Sequence, residues 1–334
     1  MRPILGITMG DAAGIGPELI LKAFCKENLY EVCKPLVIGS LATMEFYRDR
    51  LGIGVKLNPV SDTSLACYEP MVLDVLDIGM IDVAQLQIGI VDPIPGKAAV
   101  VYTQEAGRLA IAGTIDAIVS APLNKEAMRM AGYHFEGQTE ILGEMTGSKR
   151  YGMILLLGHI RVLMLTTHMA LRKACDAVTR DRVLAMLELA DQTLRTFGIR
   201  NPTIAVSGLN PHSGEGGLFG TEEIEGSIPA IQAAVSKGIN AVGPVPADVV
   251  FVKAKEGAYD LVLAMYHDQA NMAAKLLGFG EVVTVLAGLP IIRTSVGHGT
   301  AFDIAGKGIA DEKNFVRSVE AAAELARLKK ENTR

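Results

Sequence analysis

Three histidines stand at the ends of apolar runs, and that placement is the first sign of chemistry in the chain. Leu163-Met164-Leu165-Thr166-Thr167 leads into His168, and Leu261-Val262-Leu263-Ala264-Met265-Tyr266 leads into His267. Ile204-Ala205-Val206-Ser207-Gly208-Leu209-Asn210-Pro211 leads into His212. In open α/β sheets, ligands sit beyond the carboxyl ends of strands. Three imidazoles with an open fourth position make a catalytic metal site that can polarise a hydroxyl or carbonyl oxygen. Asp268, beside His267, and Asp248, in Pro246-Ala247-Asp248, offer a further oxygen ligand or a partner that orients an imidazole. Any one such histidine reads equally as a loop or core residue; three of the six in this context read as a site. His159, after Gly158, and His134, in a polar turn, lack the context and read as structural.

Two glycine-rich segments and three cations add to this. Gly10-Asp11-Ala12-Ala13-Gly14-Ile15-Gly16-Pro17-Glu18 joins a strand run to a helix beginning at Pro17. Exposed N–H groups at such a helix start attract anions. The spacing is not the GxGxxG dinucleotide fingerprint, and a plain tight turn accounts for the same residues. Arg293-Thr294-Ser295-Val296-Gly297-His298-Gly299-Thr300-Ala301-Phe302-Asp303-Ile304-Ala305-Gly306 has small residues that let a ligand approach the backbone. There His298 offers a flat face to a base and Asp303 an acceptor to a ribose or adenine donor, against the plain alternative of a mobile glycine-rich loop. Lys125, Lys275 and Arg293 are cations able to hold phosphate or carboxylate, and both lysines follow a strand end on the same presumed face.

The elements that position these residues are short apolar runs alternating with longer amphipathic ones. Strands are expected at 4–9, 36–38, 116–120, 153–157, 162–166, 203–207, 261–265 and 282–286. Helices are expected after Pro17 and at 96–112, 179–197, 222–237, 269–277 and 314–330. This alternation reads as an α/β protein with a largely parallel sheet. Gly/Pro-rich stretches at 92–96, 210–220, 243–246 and 288–299 read as loops. With 334 residues, 49% hydrophobic, the chain can bury a large core in more than one domain. The net charge of −5, the absence of Trp and the lack of a basic run beyond Lys329-Lys330 disfavour a nucleic-acid partner. Four cysteines without CxxC spacing fit reduced thiols and a cytoplasmic location. No apolar run approaches a membrane span or a signal peptide.

Together, several segments resemble the 4-hydroxythreonine-4-phosphate dehydrogenase family across residues 8–306. They are Thr8-Met9-Gly10-Asp11 with Gly14-Ile15-Gly16-Pro17-Glu18, Leu123-Asn124-Lys125, Thr139-Glu140, Thr167-His168 and Asn210-Pro211-His212-Ser213-Gly214-Glu215. Pro246-Ala247-Asp248, Tyr266-His267-Asp268-Gln269 and Gly288-Leu289-Pro290 through Arg293-Thr294-Ser295 complete the set. The glycine-rich turn and the 298–306 loop are also similar to those of isopropylmalate and isocitrate dehydrogenases, where the loop binds the cofactor's adenosine.

The resemblance implies two α/β domains with mostly parallel sheets, isopropylmalate-dehydrogenase-like, with the active site in the interdomain cleft. A cofactor-side domain is drawn at 1–130 with 280–334, and a metal-binding and dimerisation domain at 131–279. The resemblance implies a homodimer with metal ligands from both subunits, and a divalent metal (zinc first, then Mg, Mn or Co) on His168, His212 and His267. Substrate contacts are implied at Gln138, Thr139, Lys275, Thr284 and Arg293. NAD or NADP contacts are assigned to Gly14, Gly16, His298, Gly299, Thr300 and Asp303. The implied reaction oxidises a secondary alcohol of a small phosphorylated hydroxy acid, and the β-keto acid then loses carbon dioxide. Lys125, Asp248, Asp268 or a water on the metal stand as proton acceptors.

The sequence also departs from that family. Gln138 stands where His is usual and Thr284 where Asn is usual, both at substrate positions. Ala270-Asn271-Met272-Ala273, Gly297 and Ala12 replace a Gly/Pro segment, an Asp and a Pro. The reaction class is therefore kept while the substrate stays open. It is 4-hydroxy-L-threonine 4-phosphate of vitamin B6 (pyridoxine) synthesis, or alternatively D-threonate or D-erythronate 4-phosphate, or a cyclic diol carboxylate. From other classes, a zinc hydrolase using hydroxide at the three-histidine site and a non-catalytic metabolite binder remain; the cofactor-like 298–306 loop argues against the first and the clustered histidines against the second.

Overall fold

Runs of Ile, Val and Leu that are buried on both faces cannot end a sheet; they need neighbours on either side and helices above and below. The computed structural model, which describes residues 2–25, 28–278 and 280–332, shows such an arrangement twice. The chain divides by compactness into one unit of Met1–Lys149 with Leu289–Lys330 and a second built on Arg150–Gly288. In chain order the strands are β1 (Ile4–Thr8), β2 (Lys34–Gly39), β3 (Lys56–Val60), β4 (Val72–Asp77), β5 (Ala117–Ser120), β6 (Gly152–Leu157), β7 (Ile160–Met164), β8 (Ile204–Ser207), β9 (Ala241–Val245), β10 (Leu261–Ala264), β11 (Val283–Ala287) and β12 (Arg293–Val296). The helices are α1 (Gly16–Phe24), α2 (Asn28–Val32), α3 (Leu41–Leu51), α4 (Pro93–Ile111), α5 (Lys125–Met130), α6 (Gln138–Met145), α7 (Leu171–Asp176), α8 (Arg180–Thr196), α9 (Ile228–Ser236), α10 (Ala247–Lys255), α11 (His267–Leu277) and α12 (Lys313–Asn332).

In the first unit the strand order is β3-β4-β2-β1-β5-β12, and every pairing is parallel. Thr8 is level with Ser120, and Ser120 with Ser295, so the loops after β1, β5 and β12 leave the sheet side by side. The strand order reverses between β1 and β5, the kind of crevice where α/β sheets hold ligands. In the second unit the order is β11-β6-β7-β10-β8-β9. β7, β10, β8 and β9 are mutually parallel neighbours, while β6 runs antiparallel to both β11 and β7. The expected α/β class with mostly parallel sheets is the class observed.

Packing fixes the helices that carry the site. In the second unit, Val162, Met164, Ala205, Val262 and Ala264 pack with Val250 and Ala254 of α10 and Ala270 and Ala274 of α11. In the first, Val100 of α4, Met128 of α5 and Ile141 of α6 form one buried cluster, which seats the starts of α5 and α6. Burying each such side chain is worth about 1.5–3 kcal/mol.

Several sequence expectations are corrected. The 243–246 stretch, read as a loop, carries the end of β9; Pro244 is tolerated because β9 is an edge strand. The 288–299 stretch contains β12, whose polar Arg-Thr-Ser-Val sequence hides a fully buried strand. The expected helix at 222–237 is a π turn, Glu223–Ser227, followed by α9 with Pro near its start. The units join later in the chain than the expected 130/131 and 279/280. α6 packs on α4 in the first unit, and β11 pairs with β6 in the second. All four cysteines are free thiols. No described helix is long and apolar enough to cross a membrane.

Candidate active site

In the second unit the chemistry-bearing residues line the carboxyl edge of four adjacent strands. His168 follows β7, His267 and Asp268 follow β10, His212 follows β8, and Asp248 lies in the first turn of α10 after β9. The His168 and His267 rings lie 5.4 Å apart between centroids, tilted by 41°. Asp268 Oδ1 sits 3.4 Å from His267 Nδ1. His168, His212, Asp248 and Asp268 are exposed and His267 is half-buried. His212 lies 6.3 Å from the Phe219 ring, outside the His168–His267 pair. Among the described residues, no three His, Cys, Asp or Glu side chains of the one chain close on a common point. The donors present are thus a facing imidazole pair, with a third imidazole on the neighbouring strand's loop.

Three side chains tie these strand ends together. Thr166 Oγ1 donates to the Met265 carbonyl at 2.8 Å, linking the ends of β7 and β10. Gln269 accepts from Met265 N at 2.7 Å and donates to Gly208 O at 2.9 Å, linking β10 to β8. The buried Glu223 carboxylate accepts from Leu209 N, Asn210 N and Asn210 Nδ2, each at 2.8 Å, and so fixes the entry to the His212 loop. That loop carries left-handed backbone at His212, Ser213 and Glu215 (φ 52°, 54° and 45°), a costly conformation for side-chain-bearing residues. Ser213 Oγ is buried there without a partner.

In the first unit the site residues gather beyond β1, β5 and β12. Arg293, the first residue of β12, is buried; its Nε donates to Ser120 Oγ at 3.0 Å and its NH2 donates to Gln138 Oε1 at 2.6 Å. Gln138 Nε2 in turn donates to the Ala121 carbonyl at 2.9 Å. The guanidinium is therefore held by neutral acceptors. Burial pulls its pKa down to about 10, with Glu140 opposing, so it stays cationic at neutral pH. A buried cation that is not hydrogen-bonded to any carboxylate is costly unless an anion completes it. Lys125 opens α5 beneath its cap Asn124 and is exposed. Its Cε lies about 4 Å from the point where a Cβ on Gly137 would stand, next to Gln138. Thr139 is the second residue of α6 and half-buried.

The glycine-rich turn and the loop after β12 are brought together. Ile15 N donates to the Thr300 carbonyl at 3.0 Å, and a Cβ on Gly14 would stand 3.0 Å from Thr300. A Cβ on Gly16 would stand 2.3 Å from the Met9 carbonyl. The expected exposed amides of this turn are not exposed. The turn is buried, and the Ala13, Gly14 and Ile15 N–H groups bond Asp11 Oδ1, Asp11 O and Thr300 O. Close packing is what requires these two glycines. The outer rim of the loop is open: His298, Gly299 and Asp303 are exposed, and nothing lies within 4 Å of a Cβ built on Gly299. Thr8 Oγ1 and Asp11 Oδ2, at the end of β1, are buried without partners. Burial, with Asp92 as a second cause of the same sign, pushes the Asp11 carboxyl up to about 6. The open rim, with a flat imidazole, a bare glycine backbone and a carboxylate, suits a ligand that offers a base and hydroxyl donors, as a nicotinamide dinucleotide does.

The family model described as pyridoxal phosphate biosynthetic protein PdxA matches residues 31–322. The chain belongs to the PdxA family. A D-threonate 4-phosphate dehydrogenase of Cupriavidus necator is 44% identical to it, over 97% of this chain and 97% of its own. Another, of Pectobacterium atrosepticum, is 43% identical over 98% and 100%. The crystal structure of 4-hydroxythreonine-4-phosphate dehydrogenase from Klebsiella pneumoniae matches with a TM-score of 0.92 at 40% identity, covering 97% of this chain and 100% of that one. The chain is a PdxA-family dehydrogenase.

In this PdxA-family chain the remaining assigned substrate residues lie in the second unit. Lys275 is exposed in the last turn of α11, and Thr284 is buried on β11 opposite Leu155. Ser120, Thr166 and Glu223 escaped the sequence reading. Ser120 and Thr166 were legible only as strand-end hydroxyls. Glu223 was hidden by reading 222–237 as one helix.

Proposed function

We propose that this PdxA-family dehydrogenase oxidises a 4-phosphorylated hydroxy acid, D-threonate 4-phosphate first, with NAD and a divalent metal, and that decarboxylation follows. The observation that carries the reading is Arg293: a buried guanidinium bonded, among the described residues, by the neutral Ser120 and Gln138, with a charge left for an anionic substrate group. The names of the curated relatives favour D-threonate; the name of the Klebsiella structure keeps 4-hydroxythreonine 4-phosphate as the second reading. A bound metal would polarise the substrate hydroxyl, and a bound nicotinamide would accept the hydride from the carbon that bears it. His168 and His267, with His212 from the adjacent loop, would hold the metal. The loop at 298–303 would hold the cofactor, backed by the buried turn at 14–16.

The chain's own groups then do the rest. Arg293 fixes the anion by two-pronged donation, which sets the distance of the hydroxyl-bearing carbon. The hydroxyl proton passes to Asp268, Asp248 or Lys125, all exposed at strand ends. Oxidation leaves a β-keto acid, whose C–C bond to the carboxylate breaks with release of carbon dioxide. We further propose a homodimer in which a second copy helps complete the metal ligand set, because His212 stands outside the His168–His267 pair of its own chain.

The test is a substrate panel on purified protein with divalent metal and NAD, read at the absorbance of reduced nicotinamide. D-threonate 4-phosphate, D-erythronate 4-phosphate, 4-hydroxythreonine 4-phosphate and cyclic diol carboxylates are compared. Reduction with a phosphorylated member is expected; no reduction with any, together with ester hydrolysis, would favour the hydrolase instead.

A further inference from the structure

The end of the 298–306 loop is latched to α1 by an ion pair, half-buried at Lys22 and fully buried at Glu18, that the reaction chemistry does not use. Glu18, fully buried, accepts from Lys22 Nζ at 2.8 Å and from Ala310 N at 2.8 Å through Oε1, and from Gly308 N at 3.3 Å through Oε2. Lys22 Nζ donates in turn to the carbonyls of Gly308 at 2.8 Å and Ala310 at 2.7 Å. Arg50 Nε of α3 donates to the Gly306 carbonyl at 3.1 Å. At the other end, Gly297 N donates to Asn314 Oδ1 at 2.9 Å, and the middle is held by Ile15 N on Thr300 O. The loop is thus pinned at its start, middle and end, while its His298–Gly299 rim stays open.

We infer that Glu18 and Lys22 are positioning residues that hold the 298–306 loop in its cofactor-ready shape before any cofactor arrives. A buried carboxylate is costly unless its lone pairs are filled, and here an ammonium and two amides fill them. The same ammonium fills the carbonyls of the segment it secures, so one pair satisfies both the N–H and the C=O groups of Gly308 and Ala310. Neither side chain reaches the open rim, so the pair acts through the loop. This gives the glycine-rich turn a task in place of an anion cradle: it delivers Glu18 and Lys22, four residues apart on one face of α1, to the loop's exit. A loop that is already ordered costs no ordering on binding, so loss of the latch lowers the fraction of competent protein and weakens the apparent affinity in proportion.

The inference rests on the NAD reading above, and the experiment separates the two. Glu18→Gln and Lys22→Met proteins are compared with wild type by calorimetric titration with NAD, by substrate KM, and by amide hydrogen exchange over 298–310 in the cofactor-free protein. Both variants are expected to bind NAD about tenfold more weakly and to exchange faster over the loop, with substrate KM changed less than twofold. Lys22→Arg should restore both readouts. If Glu18→Gln fails to fold, Lys22→Met, which alters a partly exposed side chain, carries the same expectation. NAD affinity within twofold of wild type in a variant whose loop exchanges faster would overturn the latch, as would unchanged exchange. Wild-type protein that binds no NAD is a different result: it overturns the cofactor reading and, with it, the loop's assigned task.

Discussion

At Arg293, position and partners say more than residue type. An arginine in a sequence is ordinarily a surface residue; here it is buried on β12 and offers its charge past two neutral acceptors. Gln138, at a position where the family resemblance led to His, has both ends of its amide committed, to Arg293 and to Ala121. It therefore orients the cation and adds no charge of its own. Arg293→Ala is expected to raise KM for the phosphorylated substrate about a hundredfold. Arg293→Lys should recover little of this, because an ammonium cannot reproduce the planar two-pronged geometry; an unchanged KM in Arg293→Ala would remove this residue from the substrate site. Asp11 carries a second residue-scale expectation. Its carboxyl, pushed up to about 6, keeps its proton in the folded state over a range where the unfolded chain, with a pKa near 4, has lost it. Folding stability therefore falls as pH rises through roughly 4 to 6, by about 3 kcal/mol once Asp11 is ionised in both states. Asp11→Asn keeps an acceptor for Ala13 N and cannot ionise, so it should stabilise the protein in chemical denaturation at pH 7.5 and change little at pH 4; equal effects at both pH values would contradict this.

At the scale of elements, what was legible in the sequence was what periodicity encodes. The buried runs of β1, β6, β7, β8 and β10 announced themselves, and with them the three histidines that follow β7, β8 and β10. Their lateral order β7-β10-β8 was not legible, because strand adjacency is set by pairing between segments far apart in sequence. The cross-links Thr166–Met265 and Gln269–Gly208 depend on that order and were invisible for the same reason. β12 was missed because Arg-Thr-Ser-Val shows no apolar pattern although all four residues are buried. The glycine-rich turn was seen, and of its two readings the plain tight turn is the one observed; that Thr300, from the far end of the chain, takes up the Ile15 amide cannot be read from spacing. Since Gln269 ties two histidine-bearing loops together, Gln269→Ala should weaken zinc affinity by about 10–100-fold, measured by competition with a chelator, while the imidazoles remain. An unchanged affinity would assign Gln269 to strand packing alone.

At the scale of the whole molecule, each unit gathers its functional residues at the carboxyl ends of parallel strands. The first collects the 298–306 loop and orphaned acceptors, with Arg293 reaching the end of β5 from the start of β12; the second collects imidazoles and carboxylates. The proposed sharing of metal ligands between two copies has a direct consequence. Mixing His212→Ala with His267→Ala protein, each inactive alone, should restore activity in hybrid dimers, where one site regains its full ligand set. Persistent inactivity in a mixture that sedimentation shows to contain hybrids would place all three ligands in one chain. The central claim, an oxidative decarboxylation of a phosphorylated hydroxy acid, is tested most directly by measuring reduced nicotinamide and carbon dioxide together after D-threonate 4-phosphate and NAD are added to the metal-loaded enzyme. The account predicts equal amounts of the two, both abolished by His267→Ala; inorganic phosphate release with neither product would contradict it.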